Sequence, residues 1–151
     1  MSDEDLERMR RMNETFMQLV PHNRALGLVF ERFARAEAVV TLPYDERLVG
    51  NPDTGVLHGG AISSLLDACC GAAVFMALDT PQPIATLDLR IDYLKPASPG
   101  SDVTAEAHCF KVTRNVAFVR AMAFHDPADP IAAAAGTFML THRGAWASTG
   151  A

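Results

Sequence analysis

The sequence predicts an α+β fold, an antiparallel sheet of about six strands wrapped around one long central helix, with an extra helix at the N-terminus. Three observations predict it. Residues 58–78 carry helical periodicity on one face and small residues on the other. Four strand-like segments joined by tight turns follow, which favours antiparallel pairing. Two more strand-like segments at hairpin spacing precede it. One helix cannot cover six strands, so the uncovered area and the sheet edges are expected to meet a second subunit.

The elements follow in order. Residues 2–20 read as an amphipathic helix. Ser2 or Asp3 can cap it, Asp3, Glu4 and Asp5 suit the positive end of the helix dipole, and Leu6, Met9, Met12, Phe16 and Leu19 recur at spacings of three and four. Pro21 is expected to end it, with a short turn at 23–26 before Gly27. Residues 28–33 and 37–42 are β-type, with 34–36 as the turn. The stretch 43–57 holds two Pro, two Gly, Asn51 and Asp53, and reads as a loop. In the central helix Ile62, Leu65, Leu66, Cys69, Cys70, Ala73 and Met76 share one face. The opposite stripe, Gly60, Ser63, Ser64, Asp67, Gly71 and Val74, lacks Lys and Glu, so the helix is expected to be enclosed on nearly all sides. Residues 84–95 alternate, with Thr86, Asp88, Arg90 and Asp92 on one side and Leu87, Leu89, Ile91 and Tyr93 on the other. Residues 103–112, 116–124 and 131–141 are the remaining strands, and the segment after Arg143 reads as a frayed tail.

Composition bounds the function. At 151 residues, 49% hydrophobic and 21% charged, the chain can bury a sizeable core and is not disordered as its main state. A net charge of −5 with scattered Lys and Arg argues against nucleic acid as the main partner. No apolar run approaches the roughly 20 residues of a membrane helix. The charged start MSDEDLERMRRM is not a secretory signal. Three Cys, two of them adjacent and none in a CxxC, point to a reduced, cytoplasmic setting.

Few residues carry a chemical signal. Asp67 sits mid-helix with no Lys or Arg within four residues. It is either a carboxylate retained for chemistry or an ordinary solvent-facing one. Gly59 and Gly60 open the helix after His58, and there either expose N–H groups able to hold an oxyanion or simply allow close packing. Gly59 and Asp67 lie about 12 Å apart along the helix, so one helix cannot bring both to one reacting atom. They meet if a substrate lies along the helix or a symmetric subunit supplies one of them. Asn51 and Asp53 suit turns, and Thr86 suits a strand that can present a hydroxyl. Cys69 and Cys70 read as small core residues. His22, His58, His108, His125 and His142 lack metal-ligand spacing, and no serine-hydrolase elbow or nucleotide-binding glycine loop is present. No metal site and no cofactor are expected. Arg90, Lys95, Arg114, Arg120 and Arg143 are candidates for phosphate contacts.

Together, Asn51, the run 55–60 (GVLHGG), Asp67, Gly71 and the strand 86–96 (TLDLRIDYLKP) resemble the hotdog-fold thioesterases of the phenylacetic-acid-degradation (PaaI) type. Residues 117–121 and 135–138 resemble that family too, and the likeness runs from about 26 to 141. The resemblance implies a helical segment at 1–24, a hotdog thioesterase domain at 25–143 and a flexible tail at 144–151. It implies hydrolysis of acyl-coenzyme A, with an aromatic or medium-chain acyl group and no cofactor. Asp67 would be the general base or nucleophile, and the Gly59 N–H would polarise the thioester carbonyl. Asn51 would hold water or substrate, His58 would shape the loop, and Thr86 would help position the water. Gly60, Arg90, Lys95 and Arg120 are candidate contacts to coenzyme A. The site would lie at a homodimer interface, in a tetramer built from two dimers. Six residues separate Asn51 from His58, one more than in many members, so Asp53 or Thr54 can take the place of Asn51. Two other readings are a non-catalytic acyl-CoA-binding protein and a hotdog hydratase or dehydratase. The latter normally wants a His paired with an acid in a differently spaced motif.

Overall fold

A computed structural model describes residues 3–14 and 19–141. Phe16 of the expected N-terminal stripe, His142, Arg143 and the expected tail lie outside the described residues. Helix α1 (Asp3–Asn13) docks on the core through Met12, which is buried, and through Arg8, whose Nη2 donates to the Leu78 carbonyl at 2.9 Å. Pro21 does not close a long first helix but opens a second, α2 (Pro21–Leu26). Proline suits a first helical turn because its missing N–H has no partner to lose there. Gly27 at φ 71 ends α2, and the N–H groups of Gly27 and Leu28 return to the carbonyls of Arg24 and Asn23 at 3.1 Å each. The expected turn at 23–26 is therefore helical.

Strands β1 (Val29–Ala34) and β2 (Glu37–Leu42) form the expected hairpin, with Ala36 at φ 61 in its turn. The stretch expected as loop contains a 3-10 turn (Glu46–Leu48) and a small hairpin, β3 (Val49–Asn51) with β4 (Val56–Leu57). Helix α3 (Gly59–Ala77) follows, then β5 (Ile84–Tyr93), β6 (Val103–Val112), β7 (Val116–Asp126) and β8 (Asp129–Leu140). The six long strands form one antiparallel sheet in the order β1-β2-β6-β7-β8-β5. This is the hotdog arrangement, with α3 laid across β2, β6 and β7 and reaching β5.

The sheet under α3 is lined with small side chains, including Ala105, Ala107, Ala117, Ala121, Ala123, Ala132 and Ala134, all buried. Ile62, Leu65, Leu66, Cys69, Cys70 and Ala73 of α3 pack on them. Short side chains let the helix axis approach the sheet closely, and close packing is where most of its stabilisation comes from. At 19 residues α3 is by length and composition able to cross a membrane, contrary to the sequence expectation, but most of it is buried in this core. Enclosure is uneven. Gly71, Ala72, Ala73 and Val74 are buried, whereas Ser63, Ser64 and Asp67 are half-buried and Gly60 is exposed. The expected all-round burial fails at this end because β5, the nearest strand, is a sheet edge.

Strand β5 carries one more departure. Thr86 pairs with Phe138 and Asp88 with Thr137, so Leu87 is an extra residue that bulges out and is 51% exposed. Beyond it, Leu89, Ile91 and Tyr93 pair with Gly136, Ala134 and Ala132, on the face that carries α3. Simple alternation groups Thr86 with Asp88, Arg90 and Asp92, but the bulge moves it to the helix face.

Leu65 has no exposed surface and lies in the centre of the helix–sheet contact. Leu65→Ala is expected to lower unfolding stability by about 2–5 kcal/mol, read as a lower urea midpoint at unchanged slope.

Candidate active site

The site is built on the exposed stripe of α3. Asp67 projects from mid-helix, and Thr86 Oγ1, brought round by the bulge, donates to Asp67 Oδ1 at 2.8 Å. The carboxylate expected to be unpaired is thus held by one hydroxyl, leaving Oδ2 without a hydrogen bond among the described residues.

Two turns earlier the helix starts at His58. Its backbone N–H donates to the Leu48 carbonyl at 2.8 Å, which ties it to the 3-10 turn. Its ring folds back, and Nδ1 accepts the Gly60 N–H at 2.8 Å. An N–H donated to Nδ1 requires the ring proton on Nε2. The two glycine-dependent close approaches here are specific. A Cβ at Gly60 would fall 2.8 Å from His58 Nδ1, and one at Gly50 would fall 2.9 Å from His58 Cα. The Ala61 N–H bonds the His58 carbonyl at 3.0 Å. Among the described residues nothing accepts the Gly59 N–H, which stands free at the positive end of the helix dipole.

Between the two ends lies Ser63, one turn from each. Its Oγ lies 3.1 Å from the Gly59 carbonyl and hydrogen-bonds the Tyr93 hydroxyl, which lies 3.0 Å from the same carbonyl. With one proton on each hydroxyl, Ser63 donating to Tyr93 leaves Tyr93 to donate to the carbonyl. Neither Ser63 nor Tyr93 was singled out by residue type. A tyrosine on the helix-facing side of an edge strand was the available signal, because its hydroxyl needs a partner there. Asn51 is not drawn into this group. Its Oδ1 accepts the Asp53 N–H at 3.0 Å, and its carbonyl accepts from Gly55 at 2.8 Å and Thr54 at 3.2 Å, closing the β3–β4 turn.

The model of the family described as "Thioesterase superfamily" matches residues 54–131, a span holding the Gly59 start, Asp67 and Thr86. The chain belongs to the thioesterase superfamily. A relative in Salmonella typhimurium, named medium/long-chain acyl-CoA thioesterase YigI, is 32% identical over 87% of this chain and 93% of its own. A protein of known structure from Pseudomonas aeruginosa is 42% identical, with a TM-score of 0.77, over 85% of this chain and 96% of that one. The phenylacetic acid degradation protein PaaI from Thermus thermophilus is 28% identical, with a TM-score of 0.70, over 80% and 98%.

In this thioesterase-superfamily chain the candidate phosphate contacts are dispersed. Arg90 and Arg120 both pair with Ala135, on the sheet face turned away from α3. Arg90 bonds Asp92 at 3.3 Å, and Arg120 lies over the Phe110 ring at 4.7 Å. Lys95 borders a cleft of about 340 Å³ beside Gly59 and Tyr93, and pairs with Asp129.

The three cysteines are free and buried. Burial pushes all three thiols up. Cys70 reaches about 12, with the nearby Asp67 charge adding to the effect. At pH 8 a thiol of that kind is only about one ten-thousandth thiolate, the reactive form. The folded protein is therefore expected to show no fast-reacting thiol toward a disulfide reagent, and all 3 after denaturation.

Proposed function

We propose that this protein hydrolyses acyl-coenzyme A thioesters to the free acid and coenzyme A. The observation that carries the reading is a carboxylate, Asp67, steadied by Thr86 at 2.8 Å on the same helix stripe as an unengaged N–H at Gly59. Thioester hydrolysis needs these two groups and little more. An oxyanion donor stabilises the charge that develops on the carbonyl oxygen, and a base takes the proton of water. The thiolate leaves without strong protonation. In the proposed sequence the thioester oxygen accepts the Gly59 N–H, water attacks the carbonyl carbon, and Asp67 Oδ2 takes the water proton. The tetrahedral intermediate then expels the thiolate. His58 fixes the loop and the first turn. For the acyl group we propose a medium-length aliphatic chain, a choice supported by the name of the Salmonella relative and by the apolar lining beside Gly59. The three free thiols fit a cytoplasmic setting.

Gly59 and Asp67 of one helix stand about 12 Å apart along its axis, too far to act on one carbonyl. We propose that a second copy closes the gap. Strand β5 is an open edge flanked by exposed Leu87, Tyr93 and Leu94, and antiparallel pairing of two such edges about a twofold near Leu89–Arg90 brings Thr86 and Asp67 of one copy toward Gly59 of the other. The dimer is expected in sedimentation at micromolar concentration, and specific activity should fall on dilution below its dissociation constant. A monomer with full activity contradicts it.

The test of function is thiol release from a panel of acyl-CoAs of graded chain length, with phenylacetyl-CoA and benzoyl-CoA included. Asp67→Asn is expected to lower kcat at least about 100-fold with the fold intact, and Thr86→Val about 10-fold. Tight binding without release would leave an acyl-CoA-binding protein. Release that survives in Asp67→Asn would remove Asp67 from the mechanism.

A further inference from the structure

The free N–H at Gly59 is useful only if it points in one direction, and the local sequence works against that. Two consecutive glycines are the most permissive pair a helix start can have, and the first turn of a helix is its least bonded part. The Gly59 N–H lies in the preceding unit, His58–Gly59, whose carbonyl is already held by the Ala61 N–H at 3.0 Å. The unit joining Gly59 to Gly60, across the Gly59 Cα, is the remaining soft link. Fixing it removes one of the two freedoms about the Cα on which the N–H turns. In this protein both polar ends of that unit are held by side chains from outside the helix backbone. Its N–H, on Gly60, is taken by His58 Nδ1 at 2.8 Å. Its carbonyl, on Gly59, accepts the Tyr93 hydroxyl at 3.0 Å, and Ser63 Oγ, 3.1 Å from the same carbonyl, completes the cluster by hydrogen-bonding the Tyr93 oxygen. The Tyr93 ring also packs on the Gly59 backbone. A Cβ built there would lie 3.6 Å from the ring edge, so the fit is close and not strained.

These three side chains come from different places. His58 precedes the helix, Ser63 is one turn into it, and Tyr93 comes from edge strand β5. We propose that Tyr93 is a positioning residue, holding the Gly59–Gly60 peptide from its carbonyl side while His58 holds it from its N–H side, so that the Gly59 N–H is aimed before substrate arrives. Preorganisation of this kind is what makes a donor effective in the transition state, because no reorganisation is then needed during reaction. The proposal also explains why a half-exposed tyrosine follows the aliphatic Leu89 and Ile91 on the helix-facing side of the edge strand. Its kinetic part rests on the thioesterase reading, whereas its structural part does not.

Tyr93→Phe keeps the ring and removes only the hydroxyl. The first readout needs no substrate. The backbone amide of Gly60 is expected to be rigid in the parent protein, with an order parameter of about 0.85, and to fall toward about 0.6 in Tyr93→Phe while the middle of α3 is unchanged. An unchanged Gly60 overturns the clamp, whether or not the protein is active. The second readout is kinetic. kcat is expected to fall about 10-fold with KM within about twofold, because the donor is loosened and not removed. The third is the carbonyl stretch of a thioester bound to Asp67→Asn, expected to move to higher frequency when Tyr93→Phe is added, as polarisation weakens. A looser Gly60 with kcat and the carbonyl stretch both unchanged overturns the positioning role. A parent protein that releases no thiol from any acyl-CoA defeats the thioesterase reading alone, and the Gly60 measurement still decides the clamp.

Discussion

Everything in this molecule depends on how closely α3 can lie on its sheet. Alanine lines much of the inner face of β6, β7 and β8, and the larger side chains come from the helix, with Ile62, Leu65 and Leu66 fully or nearly fully buried. Large residues on one layer and small ones on the other interdigitate without voids. The arrangement fixes the rotation of α3 about its axis, because only one stripe is bulky enough to fill the floor. Once that stripe is seated, the opposite one, Gly60, Ser63, Ser64 and Asp67, has to face the open side. The partial exposure of Asp67 is thus a consequence of core packing at Leu66 and Cys70 on either side of it.

Edge strand β5 then decides what Asp67 meets. Without the extra residue at Leu87, Thr86 would face away from the helix beside Asp88. The bulge is matched by Gly136 on β8, where an added Cβ would lie 3.1 Å from both the Asp88 carbonyl and the Leu89 side chain. A glycine opposite a bulge admits the kinked strand at close range, and the kink delivers the hydroxyl. Below the bulge the alternation resumes in the other phase, which puts Tyr93 on the helix side at Gly59. One inserted residue therefore sets both contacts of β5 with the Gly59–Asp67 stripe.

Much of this was legible in the residues. The 3.6-residue period of α3, the antiparallel strands after it and the isolated carboxylate at Asp67 follow from side-chain pattern alone. The family resemblance supplied the proposal that Asp67 works together with the HGG start. What escaped were features whose cause is not periodic. A bulge adds one residue to a period-2 pattern and reads as continued alternation, so Thr86 fell on the wrong face. Pro21 looks like a stop because proline disfavours helix interiors, yet the same property suits it to a first turn, where it begins α2. The β3–β4 hairpin is built on strands of three and two residues, too short to show alternation. Tyr93 was hidden because its ring belongs to the apolar set while its hydrogen bonds come from the hydroxyl.

The separation of Gly59 from Asp67 is better understood as a requirement than as an obstacle. A free N–H at a helix N-terminus attracts any carboxylate in reach, and an aspartate within the first turn would cap it and occupy the oxyanion position itself. Two turns of helix keep the proposed base, Asp67, away from the proposed donor, Gly59. His58 fills the capping role through a neutral nitrogen and takes the Gly60 N–H, so the Gly59 N–H is spared. On the proposed mechanism the cost is that one chain does not complete the site, since a rigid helix holds its two halves apart. An open edge strand beside the same stripe provides the remedy within the fold. It offers an open edge along the line that joins Thr86 to Tyr93, and in the dimer we propose a second copy reading that line in the opposite direction would supply to each Gly59 the carboxylate that its own helix withholds.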